Sequence, residues 1–342
     1  MKKLVFLFLC LPKLLTAQEI YFSVPSGFFE DEFLVELSSN FSGDIRYTLN
    51  GSDPTFESPI FHQPILVKER NSEPNTISNI PTNPPTVNPA YVWQPPNGNI
   101  PKTRILKAAL FNNEVQISNT FFEEYFIGAP LNEIALPIFS IQLDSFDLFD
   151  YEKGIYVPGK HFDDNPNALK PGNYYLEGDD WEKVMTLSFY ENQEFIFKQK
   201  TEMQMHGSFS RRMPCKSIRL SAKNSLGKKY FEYPFFKERE WTKYKRLLLR
   251  NSGNDWNRSL FADVLLHTLL ENQDVDYQSP KQVVVFINGA YWGIHNLRER
   301  YDKYYFENYH EGDLEAIDYM EIIMEFIAKE GSTIDYLSLI HI

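Results

Sequence analysis

A chain of 342 residues with a formal net charge of −12, an apolar share of 43% and charged residues at 23% is an ordinary acidic globular protein. That balance argues against a general nucleic-acid binder, whose phosphate contacts call for a basic face, and the length accommodates two domains that each bury a core. Aromatic residues reach 15%, with 28 Phe and 20 Tyr, which points to β-rich layers or sugar-facing surfaces.

Lys2 and Lys3 precede an apolar run over 4–11, and residues 14–17 lead to Gln18. Residues 1–17 therefore read as a cleavable secretory signal with its cut after Ala17, too short to span a membrane. Leu9 before Cys10 is bulkier than the small residue a lipoprotein cleavage site wants. Cleavage would leave Cys215 as the one cysteine, which excludes an intramolecular disulfide and predicts a thiol buried in a strand. No later stretch is long and apolar enough for a transmembrane helix.

The first domain is expected over 18–128. Phe33, Val35 and Leu37 recur at every second position, as do Ile45, Tyr47 and Leu49, the period of half-buried antiparallel strands. Asn50-Gly51 is a turn signal, because both residues accept positive φ. Further strands are predicted over 64–68, 104–111 and 120–127. Residues 70–101 are rich in proline and asparagine and read as a long surface loop, since prolines cannot donate to a sheet ladder. Trp93 within it either stacks on a sugar or pins the loop down.

The second domain is expected over 132–336. Residues 134–141 and 154–159 read as strands, 184–190 and 194–198 as a hairpin around Asn192-Gln193, and 244–250 as a strand ending in the polar run 250–257. Leu260, Val264, Leu265 and Leu269 fall at helical spacing, with Ser259 or Asn257 as N-cap. Residues 282–287 and 291–297 flank the hairpin turn Asn288-Gly289. The run MHGSFSRRMPCKSIRL over 205–220 concentrates hydroxyls and cations in a small-residue turn followed by Lys216, a pattern suited to polyphosphate. The same residues also read as an ordinary basic hairpin. The histidines show no ligand spacing and no cysteine cluster accompanies them, so no metal site is read here, and Asp144, Asp147 and Asp150 read as a solvated turn.

Two resemblances carry further expectations. Ser26-Gly27-Phe28 with residues 45–55, IRYTLNGSDPT, resembles the chitobiase/β-hexosaminidase C-terminal-type module, an immunoglobulin-like β-sandwich of secreted bacterial proteins. The motifs at 206–211, 214–217, 249–256 and 287–293, with Glu299-Arg300, resemble the CotH (spore coat protein H) kinase family, secreted or surface-associated atypical kinases that use ATP and a divalent metal to phosphorylate protein serine. The fold implied is multidomain: an all-β immunoglobulin-like sandwich followed by an α+β protein-kinase-like lobe of about five strands and one helix, its C-terminal lobe truncated.

The second resemblance makes Lys216 the phosphate cation, with Arg211 and Ser208 lining the loop and Glu299 near the hinge that receives adenine. Arg250 and Asp255 are either site residues or a helix cap and ion pair, and Asp263 is the acidic partner that would orient Lys216. The cofactors implied are ATP and Mg or Mn, and the substrate an extracytoplasmic protein, with possible polysaccharide or cell-surface contact through the first domain. The catalytic acid and metal ligands are expected beyond residue 342, and residues 337–342 read as translated sequencing adapter, so the fragment itself is expected to be inactive. The competing reading is a secreted, periplasmic or surface scaffold whose kinase-like domain is inactive.

Overall fold

The computed structural model describes residues 19–84, 91–309, 317–322, 326–334 and 337–338; the expected signal segment lies outside them. The chain divides into two compact units, 1–25, 33–67 and 105–123 in one and 26–32, 68–104 and 124–342 in the other. No helix among the described residues is long and apolar enough to cross a membrane.

In chain order the strands of the first half are β1 (Ile20–Phe22), β2 (Gly27–Phe29), β3 (Phe33–Val35), β4 (Leu37–Ser39), β5 (Asp44–Thr48), β6 (Ile65–Val67), β7 (Arg104–Asn112), β8 (Val115–Gln116) and β9 (Phe121–Ile127). Within the first unit, β1 pairs with β4, β3 with β6, and β5 with β7, all antiparallel. Its core follows from alternation: Val35, Leu37, Ile65 and Val67 are buried while Leu34 and Leu66 face out. The Asn50-Gly51 turn forms as its chemistry predicts, with the Asn50 side chain accepting from the Ser52 backbone N–H at 3.1 Å.

The second unit is built on β10 (Ile138–Gln142), β11 (Lys183–Glu191), β12 (Glu194–His206), β13 (Ser217–Ser221), β14 (Phe231–Glu232), β15 (Lys243–Tyr244), β16 (Arg246–Arg250), β17 (Pro280–Ile287) and β18 (Ala290–Glu299), with a further pair β19 (Tyr319–Ile322) and β20 (Phe326–Glu330). Its helices are α1 (Ser145–Phe149), α2 (Gly159–Asp164), α3 (Ala262–Thr268) and α4 (Lys303–Tyr309). Instead of the expected five or so strands, seven close into a barrel in the order β10-β11-β12-β13-β16-β18-β17. Parallel pairing of β10 with β17 closes it, and every other pairing is antiparallel. The two long hairpins were set by local turns: Asn192 and Gln193, then Asn288 and Gly289, all hold positive φ, the twist that matches a two-residue hairpin.

The barrel interior is apolar and aromatic, with Phe139, Leu187, Phe189, Met203, Ile218, Leu220, Leu247, Leu249, Val285 and Leu297 buried together. Three expectations are corrected. Residues 154–159 form no strand: Gly154, Ile155 and Tyr156 return their N–H groups to Asp150, Asp147 and Leu148, folding back on α1. The expected strand over 244–250 breaks at Lys245, so that β15 pairs with β14 and only β16 enters the barrel. The proline- and asparagine-rich segment is no simple surface loop. It belongs to the second unit, where Thr82 donates to the Pro214 carbonyl at 2.7 Å and Asn83 Nδ2 to the Arg212 carbonyl at 3.0 Å. Composition marked its extended backbone but not the carbonyls that its side chains satisfy.

Candidate functional site

The turn over 207–213 ends β12 because Gly207 holds φ at +104°, and a Cβ there would meet Ser210 Oγ at 2.3 Å. Arg211, buried inside it, donates from Nε to the Gly207 carbonyl at 2.6 Å and pairs with Glu177 at 2.8 Å. Ser208 lies exposed at the rim. Lys216 is fully buried. Its Nζ donates to the carbonyls of Arg211 at 2.8 Å and Met213 at 2.9 Å and stands 4.0 Å above the Tyr174 ring. An ammonium has three protons, and these three contacts engage them. Burial pulls the Lys216 pKa well down. The lysine expected to face phosphate lies inside the turn in this structure, where it clamps two of the turn's carbonyls.

Three other expected site residues are also committed to structural contacts. Asp263 pairs with Arg250 at 2.8 Å and Arg298 at 3.0 Å, so it does not orient Lys216. Asp255 accepts from the backbone N–H groups of Phe261 at 2.9 Å and Ala262 at 3.0 Å, and from the Ser259 hydroxyl, so it serves the start of α3 from outside the helix, whose N-cap position is Phe261 and not Ser259 or Asn257. These bonds hold its carboxyl at about 2, the Ser259 hydroxyl contributing most. Glu299 is buried against Arg239 at 2.8 Å and accepts the Ser279 N–H at 3.1 Å. Burial raises its carboxyl to about 7 against the pull of Arg239.

What the fold does bring together is a face of arginines. Ile218, Leu220, Leu247, Leu249 and Leu297 point inward, so period-two alternation turns Arg219, Arg246, Arg250 and Arg298 outward. Register places Arg219 opposite Leu248 and Leu248 opposite Arg298, with Arg250 opposite Asn296 and Arg246 opposite Ser221. Arg300 follows one residue after β18. Among the described residues, the five guanidinium groups are met by three carboxylates, Glu182 on Arg219, Asp263 on Arg250 and Arg298, and Asp302 on Arg246 and Arg300.

The arrangement is electrostatically tense. Burial comes first in lowering the pKa values of Arg219, Arg298 and Arg300, and neighbouring arginines add to it: Arg246 on Arg219, Arg250 on Arg298, and Arg219 with Arg246 on Arg300. His206, at the end of β12, is held near 3 by burial and then by Arg300, Arg211, Arg250 and Arg219, so its ring is neutral at ordinary pH. Gly253, with φ at +57°, keeps room for Arg250: a Cβ would meet its Nη2 at 3.1 Å. Arg219, Arg246 and Arg298 were absent from the sequence candidates, and Arg300 entered only through the Glu299-Arg300 motif. Their signal was an arginine at an outward position of each of the runs 217–221, 246–250 and 296–300, which gains meaning only once the strands are neighbours.

Residues 203–339 match the family model CotH kinase protein. This stretch carries β13, β16 and β18 with the whole arginine face, and it starts within β12, so β10 and β11 precede it. A second family model, Fn3 associated, matches 35–125, which includes the 68–104 segment grouped with the second unit. No curated protein matches the chain.

Proposed function

We propose that the outer face of β12, β13, β16 and β18 binds the triphosphate of ATP, and that the chain derives from a CotH-type protein kinase that transfers the γ-phosphoryl group to serine of an extracytoplasmic protein. The observation that carries this reading is a cluster of five arginines met, among the described residues, by three carboxylates, in which Arg219, Arg246, Arg250 and Arg300 keep exposed surface and Arg298 is fully buried. Guanidinium groups are the fitting donors for phosphate oxygens, which they bind bidentately. An arriving polyanion would offset the repulsion among these arginines and lift the field that keeps His206 neutral.

Phosphoryl transfer rests largely on positioning and charge stabilisation, and the arginines would supply both for the nucleotide. The chemistry of the donors fits a triphosphate. Among the described residues no group of three or more His, Cys, Asp or Glu could hold an ion, and no step is assigned to a metal. The family match at 203–339 supports the kinase class. The Fn3-associated match supports a β-rich accessory module, for which we propose an immunoglobulin-like sandwich and a contact with polysaccharide or cell surface.

The test is titration of the full chain with ATP and Mn²⁺ by calorimetry, beside a radiolabel transfer assay on serine-containing protein. Micromolar binding that Arg219→Ala and Arg250→Ala each weaken supports the reading. Absence of binding, or binding indifferent to both substitutions, would sink it. Transfer to serine would decide for the kinase over the scaffold reading.

A further inference from the structure

A cleft of about 290 Å³ opens within the second unit, away from the arginine face. Trp93, Pro96 and Ile100 of the 68–104 segment wall one side, and Pro214, Tyr291 and Trp292 the other. Cys215, expected to be buried in a strand, lies in the turn before β13 and lines the cleft as a free, partly exposed thiol. Its Sγ is 3.4 Å from Nε2 of His295, a ring that is fully buried in β18. Burial opposes a charged ring, but the Cys215 sulfur first, and then the Lys216 carbonyl 3.3 Å from the same nitrogen and the Gly293 carbonyl, raise the His295 pKa.

Tyr156 completes the arrangement. Its hydroxyl oxygen accepts from the Lys216 backbone N–H at 2.9 Å and from Trp292 Nε1 at 2.9 Å, which leaves its own hydrogen to serve the sulfur. The titratable groups that face the thiol are His295 on β18, Lys216 beside it, Tyr156 after α1, and Tyr291. Burial alone would raise the thiol; the His295 ring, Lys216 and Tyr156 outweigh it and bring it below its ordinary value. Electropositive, partly exposed surroundings of this kind mark a reactive cysteine rather than an inert one.

We propose that Cys215 and His295 form a reactive thiolate–imidazolium pair and that the cleft admits a low-molecular-weight disulfide, making Cys215 a site of reversible S-thiolation. The volume lies near the lower end for small-molecule sites, and the walls are apolar and aromatic, which suits a compact organic ligand over a polypeptide segment. In the reaction the Cys215 thiolate attacks one sulfur of the disulfide. The Cys215–sulfur bond forms as the ligand's own S–S bond breaks, and the departing thiolate takes the imidazolium proton. The disulfide is the oxidant, so electrons and protons balance. The proposal is independent of the kinase reading.

The test uses the full chain, in which Cys10 is distinguished by peptide mass, and 2-hydroxyethyl disulfide, whose charge does not change with pH. At pH 6.5 an ordinary thiol is about 1% ionised, so a lowered pKa raises the thiolate share, a gain partly offset by lower nucleophilicity. Folded Cys215 should therefore react about tenfold faster than the same cysteine in the urea-unfolded chain. His295→Gln should remove that advantage. Because this buried change could impair folding, Ile100→Trp provides a second arm: it narrows the cleft without touching the pair and should slow thiolation several-fold. A folded-state rate no greater than the unfolded one at pH 6.5, or full-speed thiolation in Ile100→Trp, would overturn the proposal.

Discussion

Lys216 and Arg219 stand three residues apart at the start of β13, yet the fold gives their charges opposite circumstances. The ammonium of Lys216 is enclosed, with two carbonyls at 2.8 and 2.9 Å and the Tyr174 ring at 4.0 Å taking its three protons. Arg219 pairs with Glu182 on a half-buried face where Arg246 repels it. A cation whose donors are all engaged inside the protein has nothing to offer a ligand. A set of cations with too few counter-charges favours an incoming anion. The contrast teaches that the chemical type of a residue nominates it for a phosphate site, while the number of its bonds already committed decides whether it can serve.

The sharpest way to break the contrast is at its buried extreme. Glu299→Gln leaves Arg239 enclosed without its carboxylate, and urea unfolding should show a loss of about 3 kcal/mol, the lower end for a broken buried pair. The rings of Tyr277 and Tyr309, at 4.4 and 4.5 Å from the guanidinium, still face it and moderate the loss. If Glu299→Gln instead left stability intact and abolished ATP binding, Glu299 would belong to the site after all.

Lys216→Met should cost about 2 kcal/mol in the same measurement, because two buried carbonyls lose a charged donor. ATP binding at the arginine face should change little once the folded fraction is corrected for. A variant of native stability that no longer binds ATP would reverse the roles given to Lys216 and to the arginines.

At the arginine face the expectation is inverted. Arg219→Ala or Arg250→Ala should weaken ATP about tenfold, corresponding to about 1.4 kcal/mol each, with unfolding midpoints near wild type, since each substitution also relieves repulsion. Calorimetry at two salt concentrations sharpens the point: the wild-type affinity should fall with added salt more steeply than that of either variant.

The smallest effect is expected at Asp255, whose carboxyl is held near 2 in the fold, below its ordinary value near 3.9. A depressed carboxylate adds stability that is present above about pH 4 and lost as pH falls through about 2. Acid unfolding of Asp255→Asn should show a shallower pH dependence than wild type in that window, and amide exchange at the start of α3 should quicken. Unchanged exchange there would remove Asp255 from its role at the helix start.

Most strands were legible because period two and turn chemistry are local. Ile65, Leu66 and Val67, the Asn192-Gln193 hairpin and the Asn288-Gly289 hairpin all stand where pattern placed them. The reading failed where apolar spacing mimicked a strand: Ile155, Tyr156 and Val157 are buried, but in a turn that bonds back to α1. It failed also over 70–101, where Thr82 and Asn83 satisfy carbonyls more than a hundred residues away. Of the expected site residues, Arg250 alone lies on the outward face of a barrel strand among the arginines. Arg211 and Ser208 belong to the neighbouring turn, and Asp255 serves the start of α3.

By itself the sequence determined the strand period, the hairpin turns and the family-like motifs, because each depends on residues within a few positions of one another. Tertiary structure decided the closure of the barrel, the enclosure of Lys216, the gathering of Arg219, Arg246, Arg250, Arg298 and Arg300, and the pairing of Cys215 with His295. The physical reason is that local pattern tells which side chains share a face, whereas the partners that spend or spare a charge are delivered by strands distant in sequence.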